Sequence, residues 1–358
     1  MKRTAITFGL AATLCGCSSE LDINAPYKDI TIVYGLLDSR DPIQFIKVNK
    51  AFLGEGDAYV FAQIPDSNEW GDAVGYARVH RKLNGQVVAT FDLRDTLITN
   101  REPGDFYSPY QRLYYFEDPF RTTIQEGGSS TTLYLDKDSE YELELNVKDQ
   151  IIRATTDIID DFRYLGPDPD VTHRVELMFQ NSYGTFELNW RSGIHGKRYV
   201  ASYRFNYREV RGTEVSDIRS FTIRLGTSVS DDSGETESMY ATMDGQSFFN
   251  AIASHVPTDP TVTARRFVGL DFLVSAANDE FHTYLTLDEP VTGIIEDRPE
   301  YTNVENGYGL FGSRYTKPLI GKALSSNTMA ELADGSITSH LNFCTEHPLD
   351  VNSSFYCP

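Results

Sequence analysis

The chain has 358 residues, of which 40% are hydrophobic and 23% are charged, and its formal net charge is −20. This composition excludes a wholly disordered chain, and the length allows two domains with separate cores. So acidic a chain argues against nucleic acid as a partner, because neutralising phosphates requires basic patches.

The N-terminus has the pattern of an export signal. A short basic region precedes ten apolar residues, 5–14, a stretch too short to cross a bilayer but typical of a signal-peptide core. It ends in Leu-Cys-Gly-Cys at residues 14–17, which resembles the bacterial lipobox. The resemblance implies that Cys17 receives diacylglycerol and an N-acyl chain. Cys15 is a poor alternative, because Leu14 would then occupy the position that requires a small side chain.

Lipidation at Cys17 would define the location of the protein. Each buried CH₂ of an acyl chain contributes roughly 0.8 kcal/mol, so three chains hold a protein firmly on a bilayer. Residues 1–16 would be removed as a signal peptide. Residues 17–28 would form a tether whose two acids partly match the surface-export signal of Bacteroidota lipoproteins. We expect an outer-membrane lipoprotein, with the cell surface favoured over the periplasmic face; the alternative is a secretory peptide with an incidental cysteine.

Residues 29–160 have the pattern of a β domain. Apolar and polar residues alternate clearly over 140–147, and Asn84-Gly85 is a strong hairpin signal. The strand signals cover residues 30–37, 43–49, 74–83, 86–91, 140–147 and 151–158. We predict an immunoglobulin-like β-sandwich with two long insertions, at residues 53–72 and 94–131.

Residues 161–358 form the second predicted domain. Acids and prolines between residues 160 and 170 interrupt regular structure and mark the boundary. Alternating patterns beyond it predict long antiparallel strands at residues 175–179, 186–190, 199–207, 221–225 and 268–274. These strands would form a curled sheet, barrel or sandwich. Two short helices are expected between them, one capped by Asp244 and the other by Ser326. The predicted fold class is therefore mainly β.

Two cysteines remain after the predicted leader and lipid anchor. Cys344 and Cys357 are an even pair, and an exported protein lies in an oxidising compartment. A disulfide between them would close a loop of about 14 residues and contribute roughly 3 kcal/mol. We expect this bridge to hold the C-terminal tail in place. A metal site is disfavoured because no Cys-x-x-Cys motif or histidine cluster accompanies the pair.

Two further blocks resemble a known group of proteins. The early block begins with Val-Tyr-Gly-Leu-Leu-Asp at residues 33–38 and continues through residues 46–54. The late block is Asn-Gly-Tyr-Gly-Leu-Phe-Gly-Ser at residues 306–313. With the lipobox, they resemble Bacteroidota outer-membrane lipoproteins known only as a domain of unknown function. Genes for such proteins often lie near TonB-dependent transporters, which implies a transporter as a partner. The motifs are structural and imply no catalytic residues.

The second predicted insertion is rich in aromatic residues. With the tryptophan of the first insertion, they form a candidate binding surface of Trp70, Phe106, Tyr107, Tyr110, Tyr114, Tyr115 and Phe116. Rings with polar tips are suited to stacking on sugars or to contact with a partner protein. The alternative, which we favour, is that the rings pack onto their own sandwich. Separately, Asp-Thr-Leu at residues 95–97 resembles a short O-glycosylation motif of exported proteins in the same group, with Thr96 as acceptor.

No catalytic signature is present in the sequence. His-Glu-x-x-His, Gly-x-Ser-x-Gly, a Walker-type phosphate loop and a dinucleotide fingerprint are all missing. We therefore expect no cofactor, no metal and no enzyme activity. The first hypothesis is a ligand-binding or transporter-accessory lipoprotein. The alternatives are a pilin-like structural or adhesive subunit and, less favoured, an anchored glycan hydrolase that would need two convergent carboxylates.

The lipobox generates a direct test. Replacement of Cys17 by alanine removes the only thiol that the motif places for lipidation, so the variant should carry no acyl chains and should no longer partition into detergent. The Cys15→Ala variant is the matched control and should remain lipidated. Intact mass spectrometry of protein extracted from membranes measures both. A wild-type product with an unmodified sulfhydryl at residue 17, or with residues 1–16 retained, would refute the anchor.

Overall fold

The computed structural model describes residues 29–51, 57–107, 109–126, 129–167, 173–231, 237–289 and 300–358. The predicted leader, the tether and Cys17 lie outside the described residues. The described chain is mainly β, with several antiparallel sheets and few helices, which confirms the predicted fold class. None of its described helices is both long and apolar enough to cross a bilayer.

The part of the chain before residue 160 contributes two layers of strands. Its strands are β1 (Ile30–Asp38), β2 (Gln44–Ala51), β3 (Val74–Leu83), β4 (Gln86–Asp92), β5 (Arg94–Ile98), β6 (Gln111–Phe116), β7 (Thr122–Glu126), β8 (Ser129–Leu133), β9 (Glu140–Val147) and β10 (Gln150–Asp157). The short helices α1 (Ala58–Ala62) and α2 (Pro65–Asn68) and a 3₁₀ turn (Gly71–Ala73) lie between β2 and β3.

The rest of the chain has longer strands. They are β11 (Tyr164–Gly166), β12 (Met178–Phe179), β13 (Ser182–Tyr183), β14 (Thr185–Arg191), β15 (Arg198–Arg211), β16 (Glu214–Val215), β17 (Arg219–Val229), β18 (Ser238–Asp244), β19 (Ala264–Ala277), β20 (Tyr308–Lys322) and β21 (Phe343–Thr345). The helices are α3 (Gly245–His255), α4 (Asp279–Asp288) and α5 (Ser326–Asp334), with 3₁₀ turns at Ser339–Leu341 and Pro348–Asp350.

One large sheet runs through both predicted domains. Its order is β16-β15-β19-β20-β1-β2-β6-β5, with β17 also paired to β15 and β21 to β19. The join is the parallel pairing of β20 with β1, from Tyr308 opposite Ile32 to Arg314 opposite Asp38. The two sequence blocks that carry the family resemblance are therefore neighbours in space. A boundary near residue 160 does not divide the hydrogen-bonded sheet.

Glycines make the β1–β20 pairing possible. Gly309 has φ +114°, and a Cβ there would lie 2.0 Å from the carbonyl oxygen of Val33. A Cβ on Gly35 would lie 2.9 Å from the ring of Phe311. Phe311 is fully buried in the core of the first half of the chain. The glycines of this pairing thus allow β20 to place the ring of Phe311 in the core of the first half of the chain.

The β-sandwich forms where a second sheet, in the order β10-β9-β3-β4, packs against β1, β2 and β6. In β9, Tyr141, Leu143, Leu145 and Val147 face the core, as their alternation predicts. The Asn84-Gly85 hairpin between β3 and β4 is also confirmed, with φ angles of 52° and 75°. Both angles are the left-handed ones that a tight turn of this kind requires.

A second core lies beyond the join. It is formed by one face of β15 and β19, by the sheet β11-β14-β18, and by helices α3 and α5. Asp244 caps α3 as predicted, accepting a hydrogen bond from the backbone N–H of Ser247 at 2.8 Å. The predicted cap of α5 is wrong by one residue. Ser325 is the cap, while Ser326 is the first helical residue and its hydroxyl donates to Asp350 at 2.5 Å.

The predicted second insertion, at residues 94–131, is not an insertion. It supplies β5 and β6, which form the end of the large sheet, and most of the β7–β8 hairpin. The chain changes sheets at Leu93, between β4 and β5. The sequence pattern missed this because β6 carries aromatic residues on both faces, which removes the alternation.

A disulfide joins Cys344 to Cys357. It holds the C-terminal tail beside β21, where Thr345 and Tyr356 form a parallel bridge. The backbone N–H of Cys357 donates to the carbonyl of Thr345 at 2.9 Å.

A buried carboxylate ties the two layers of the sandwich together. The Asp118 side chain is 0% exposed, and both of its oxygens accept hydrogen bonds from Arg81 at 3.0 Å. The hydroxyl of Tyr141 donates to the same carboxylate at 2.7 Å. Burial raises the pKa of Tyr141 well above its ordinary value, so this donor stays protonated. Asp118 follows β6, whereas its two partners belong to β3 and β9 in the other layer.

This network yields a stability prediction. Asp118→Ala should lower the free energy of unfolding by about 3 kcal/mol, because Arg81 loses its partner in a mostly buried position. Glu117→Ala is the matched control next to it in sequence. Glu117 pairs with Arg94, and the two side chains are 46% and 60% exposed, respectively. The free energy of unfolding should therefore fall by less than about 1 kcal/mol. Urea denaturation measures both. Equal effects of the two substitutions would contradict the role of Asp118.

Candidate ligand-binding site

The predicted aromatic surface is divided in the structure. Trp70, Tyr114 and Phe116 are buried in the sandwich core, with exposed fractions of 8%, 8% and 1%. Packing onto the sandwich, the alternative considered above, therefore holds for these three residues. Tyr115 lies on the outer face of the sheet, where its ring is 5.9 Å from that of Phe45. The remaining three rings, Phe106, Tyr107 and Tyr110, line a pocket.

This pocket, here called the aromatic pocket, has a volume of about 360 Å³ and lies within the size range of small-molecule sites. It opens on the outer face of β1 and β2 beside α2 and the segment from Arg101 to Gln111. Its aromatic lining residues are Tyr34, Phe106, Tyr107 and Tyr110, and its amides are Asn49, Asn68 and Gln111. Its charged lining residues are Lys47, Lys50, Glu69 and Arg101.

Strand alternation places the floor of the pocket. Val33 points into the sandwich core, so Tyr34 points outward, where 41% of it is exposed. Likewise Ile46 and Val48 are buried, which turns Lys47 to the outer face. The sequence contained this signal, because these residues are the polar positions of two predicted strands.

Hydrogen bonds hold the wall of the pocket in place. The backbone N–H of Tyr107 donates to the carbonyl of Ala62 at 2.9 Å. Gln63 donates to the carbonyl of Asp105 at 2.8 Å, and Arg101 donates to the carbonyl of Tyr107, also at 2.8 Å. The loop is thus fixed to the end of α1 by its backbone. Its rings remain available: Tyr107 and Tyr110 meet edge to face at 5.0 Å, and 54% of Phe106 is exposed.

The pocket carries positive charge that the described residues do not neutralise. No carboxylate in the described part of the chain pairs with Lys47 or Arg101. Burial, and then repulsion from Arg101, lowers the pKa of Lys47. Glu69 accepts a hydrogen bond from the backbone N–H of Arg112 at 3.0 Å, and Lys50 pairs with Asp29 at 3.5 Å.

Two further hollows continue from the aromatic pocket across Tyr34. The first, of about 560 Å³, also contains Ile32, Tyr284, Tyr301 and Tyr308. The second, of about 350 Å³, contains Phe45, Phe281 and Tyr284. Tyr34 and Tyr284 meet edge to face at 6.2 Å, and the hydrogen bond to Tyr34 raises the pKa of Tyr284 to about 12. Together the three hollows form a groove along the outer face of the sheet.

Sequence reasoning missed most of this groove. Helix α4, which supplies Phe281 and Tyr284, was not predicted, because it has no fully buried residue and hence no clear apolar stripe. Arg101 lies in a loop, where no periodic pattern exists to mark it. For Tyr34 and Lys47 the sequence pattern predicts only that they lie in strands. Tyr34 of β1, Arg101 of the loop and Tyr284 of α4 are far apart in the sequence. No single one of these positions carries a signal that they line the same groove.

An acidic hollow of about 490 Å³ lies elsewhere, lined by Asp138, Glu140, Asp157, Asp160 and His195 among others. Asp160 pairs with Lys137 at 3.1 Å, and Asp157 lies 3.6 Å from Nδ1 of His195. Within the described residues, no group of three or more His, Cys, Asp or Glu side chains converges to hold a metal ion.

The remaining predicted site is the glycosylation acceptor. Thr96 lies at the centre of β5, the last strand of the large sheet, opposite Leu113. Its neighbour Asp95 pairs with Arg112 at 2.5 Å. Modification at Thr96 stays a prediction.

Comparison with known proteins gives no family. No family model matches this sequence, and no curated protein matches it either.

The buried charge of Lys47 generates a test with a defined sign. A lysine whose pKa is lowered on folding binds protons more readily in the unfolded chain, so its charge destabilises the folded state at neutral pH. Lys47→Met should therefore raise stability at pH 7. The gain should shrink as the pH rises through the lowered pKa towards the ordinary value of 10.5, where both states lose the proton.

Lys50→Met is the matched control, because Lys50 has an acid partner and its removal should give no gain at pH 7. Thermal unfolding of the three proteins between pH 7 and 10 measures the difference. A lower melting temperature for Lys47→Met at pH 7 would show that Lys47 has a structural role.

Proposed function

We propose that this protein is a lipid-anchored, non-enzymatic binding protein of the outer membrane, whose ligand occupies the aromatic pocket. The observation that carries the proposal is the pocket itself. The pocket has a volume of about 360 Å³ and is lined by four rings, three amides and two cations that pair with no carboxylate of the described residues. Mostly apolar walls with a few polar groups are typical of small-molecule sites.

The stability of the protein does not explain the composition of this pocket. A core residue stabilises a protein by being buried, yet 41% of Tyr34 and 54% of Phe106 are exposed. A half-buried lysine without an acid partner lowers stability at neutral pH. Groups that are exposed or destabilising but held in place by a rigid sheet are typical of binding sites.

The lipobox supports the location, and the family resemblance supports a transporter as the partner. In this proposal the lipid at Cys17 tethers the acidic body to the outer membrane, and the pocket presents a ligand to a TonB-dependent transporter. The strand order favours this proposal over a pilin-like subunit. Strand donation requires an open groove next to a removable N-terminal strand, whereas β1 is paired on both sides, with β2 and β20.

Aromatic rings stack on the apolar faces of sugars, and amides form hydrogen bonds with sugar hydroxyl groups. Binding to a glycan array therefore tests the proposal. The detergent-solubilised wild-type protein should bind at least one class of glycan. Tyr110→Ala should weaken that binding about tenfold, which corresponds to the loss of one well-placed ring.

Tyr240→Ala is the matched control, because this tyrosine is 61% exposed on β18, outside the groove. It should bind as the wild type does. The proposal fails if the wild-type protein binds no glycan on the array, or if both tyrosine variants lose binding equally.

A further inference from the structure

We propose that the ligand is a carboxylated oligosaccharide, with one carboxylate held between Lys47 and Arg101 and the sugar chain continuing across Tyr34. This inference rests on the proposed function and adds the chemical class of the ligand. It is carried by the charge of the aromatic pocket, by its ring and amide lining, and by the groove that leaves it.

Lys47 and Arg101 give the aromatic pocket two positive charges. The chain as a whole has a formal net charge of −20, whereas the aromatic pocket is lined by two cations, Lys47 and Arg101, that pair with no carboxylate of the described residues. Lys47 has no partner among the described residues, and Arg101 donates a hydrogen bond to the backbone carbonyl of Tyr107 at 2.8 Å. A guanidinium has five N–H donors in a planar fork that matches a carboxylate. An anion placed here would neutralise two charges that now repel each other.

The lining of the aromatic pocket fits sugars better than simple anions. A simple anion such as phosphate is normally held by backbone N–H groups and cations, with no need for rings. The pocket that holds the cations is also lined by Phe106, Tyr107 and Tyr110 and by the amide of Gln111. Ring faces stack on the apolar faces of sugars, and amides both donate to and accept from hydroxyl groups. A sugar acid offers all three kinds of group in one molecule.

The groove that leaves the aromatic pocket has room for further sugar rings. The aromatic pocket shares Ile32, Tyr34 and Ala51 with the neighbouring hollow of about 560 Å³. That hollow presents three further tyrosines, Tyr284, Tyr301 and Tyr308, but among its lining residues it has acids and no lysine or arginine. A chain of sugars therefore fits better than a single ring. Its anionic residue belongs at the Lys47 end.

Isothermal titration calorimetry with three probes tests the inference on the detergent-solubilised protein. The probes are 4-O-methylglucuronosyl xylotriose, a neutral oligosaccharide that carries a single uronate at one end, its methyl ester and citrate. The first has rings and charge, the second has rings only, and the third has charge only. The uronate-bearing oligosaccharide should bind at least tenfold more tightly than either of the others, because only it engages both the cations and the aromatic residues.

Substitutions locate the recognition. Lys47→Met should remove the preference for the acid over its ester, while Lys47→Arg should retain it, because the positive charge remains. Lys137→Met is the matched control: this lysine is 42% exposed and pairs with Asp160 outside the groove. It should leave the preference unchanged. A preference that survives in Lys47→Met would overturn the assignment.

The other outcomes separate this inference from the proposed function. Equal affinity for acid and ester, with loss of both in Tyr110→Ala, would overturn the charged ligand but keep the binding function. Affinity for citrate equal to that for the uronate-bearing oligosaccharide would show that the cations bind any carboxylate without the rings, and it would overturn the assignment of a sugar acid. If none of the three probes binds, the inference is wrong, and the glycan array decides separately whether the protein binds sugars at all.

Discussion

The parallel pairing of β1 with β20 is the constraint on which the rest of the structure depends. It joins strands about 275 residues apart in sequence and makes one sheet from two predicted domains. The pairing is close because Gly309 and Gly35 have no side chain where the neighbouring strand and ring must lie. Phe311 then fills the core of the first half. Without this contact, the outer face that carries the groove would end at β1.

The groove follows directly from that pairing. Its floor is the outer face of β2, β1 and β20, and α4 begins directly after β19 and packs on β20. Tyr284 on this helix therefore meets Tyr34 on β1. The wall on the other side comes from residues between β5 and β6, which lie at the end of the same sheet. Rigid strands thus position residues from three distant parts of the chain, which is how binding sites are commonly built.

The polar groups of the molecule have two distinct uses. Inside the sandwich, the carboxylate of Asp118 accepts hydrogen bonds from Arg81 and from the hydroxyl of Tyr141. Lys47 and Arg101 at the groove are not matched in this way by the described residues. A carboxylate that is fully paired stabilises one fold, whereas a cation left without an acid is available to a ligand. This difference in pairing, rather than residue type, separates the structural site from the candidate functional one.

The sequence by itself determined the β class, the alternation of β9, the Asn84-Gly85 hairpin and the cap of α3. Each of these depends on residues close together in the chain, where period and turn chemistry act directly. It also supplied the lipobox, which lies outside the described residues and remains a prediction. Only the tertiary structure decided that residues 94–131 contain sheet strands and that the rings of the candidate surface divide between core and pocket. Both outcomes depend on pairing between distant strands. The strand with which a segment pairs, and not the pattern within that segment, determines which of its aromatic residues are buried. Such pairing therefore leaves no periodic signal in the sequence.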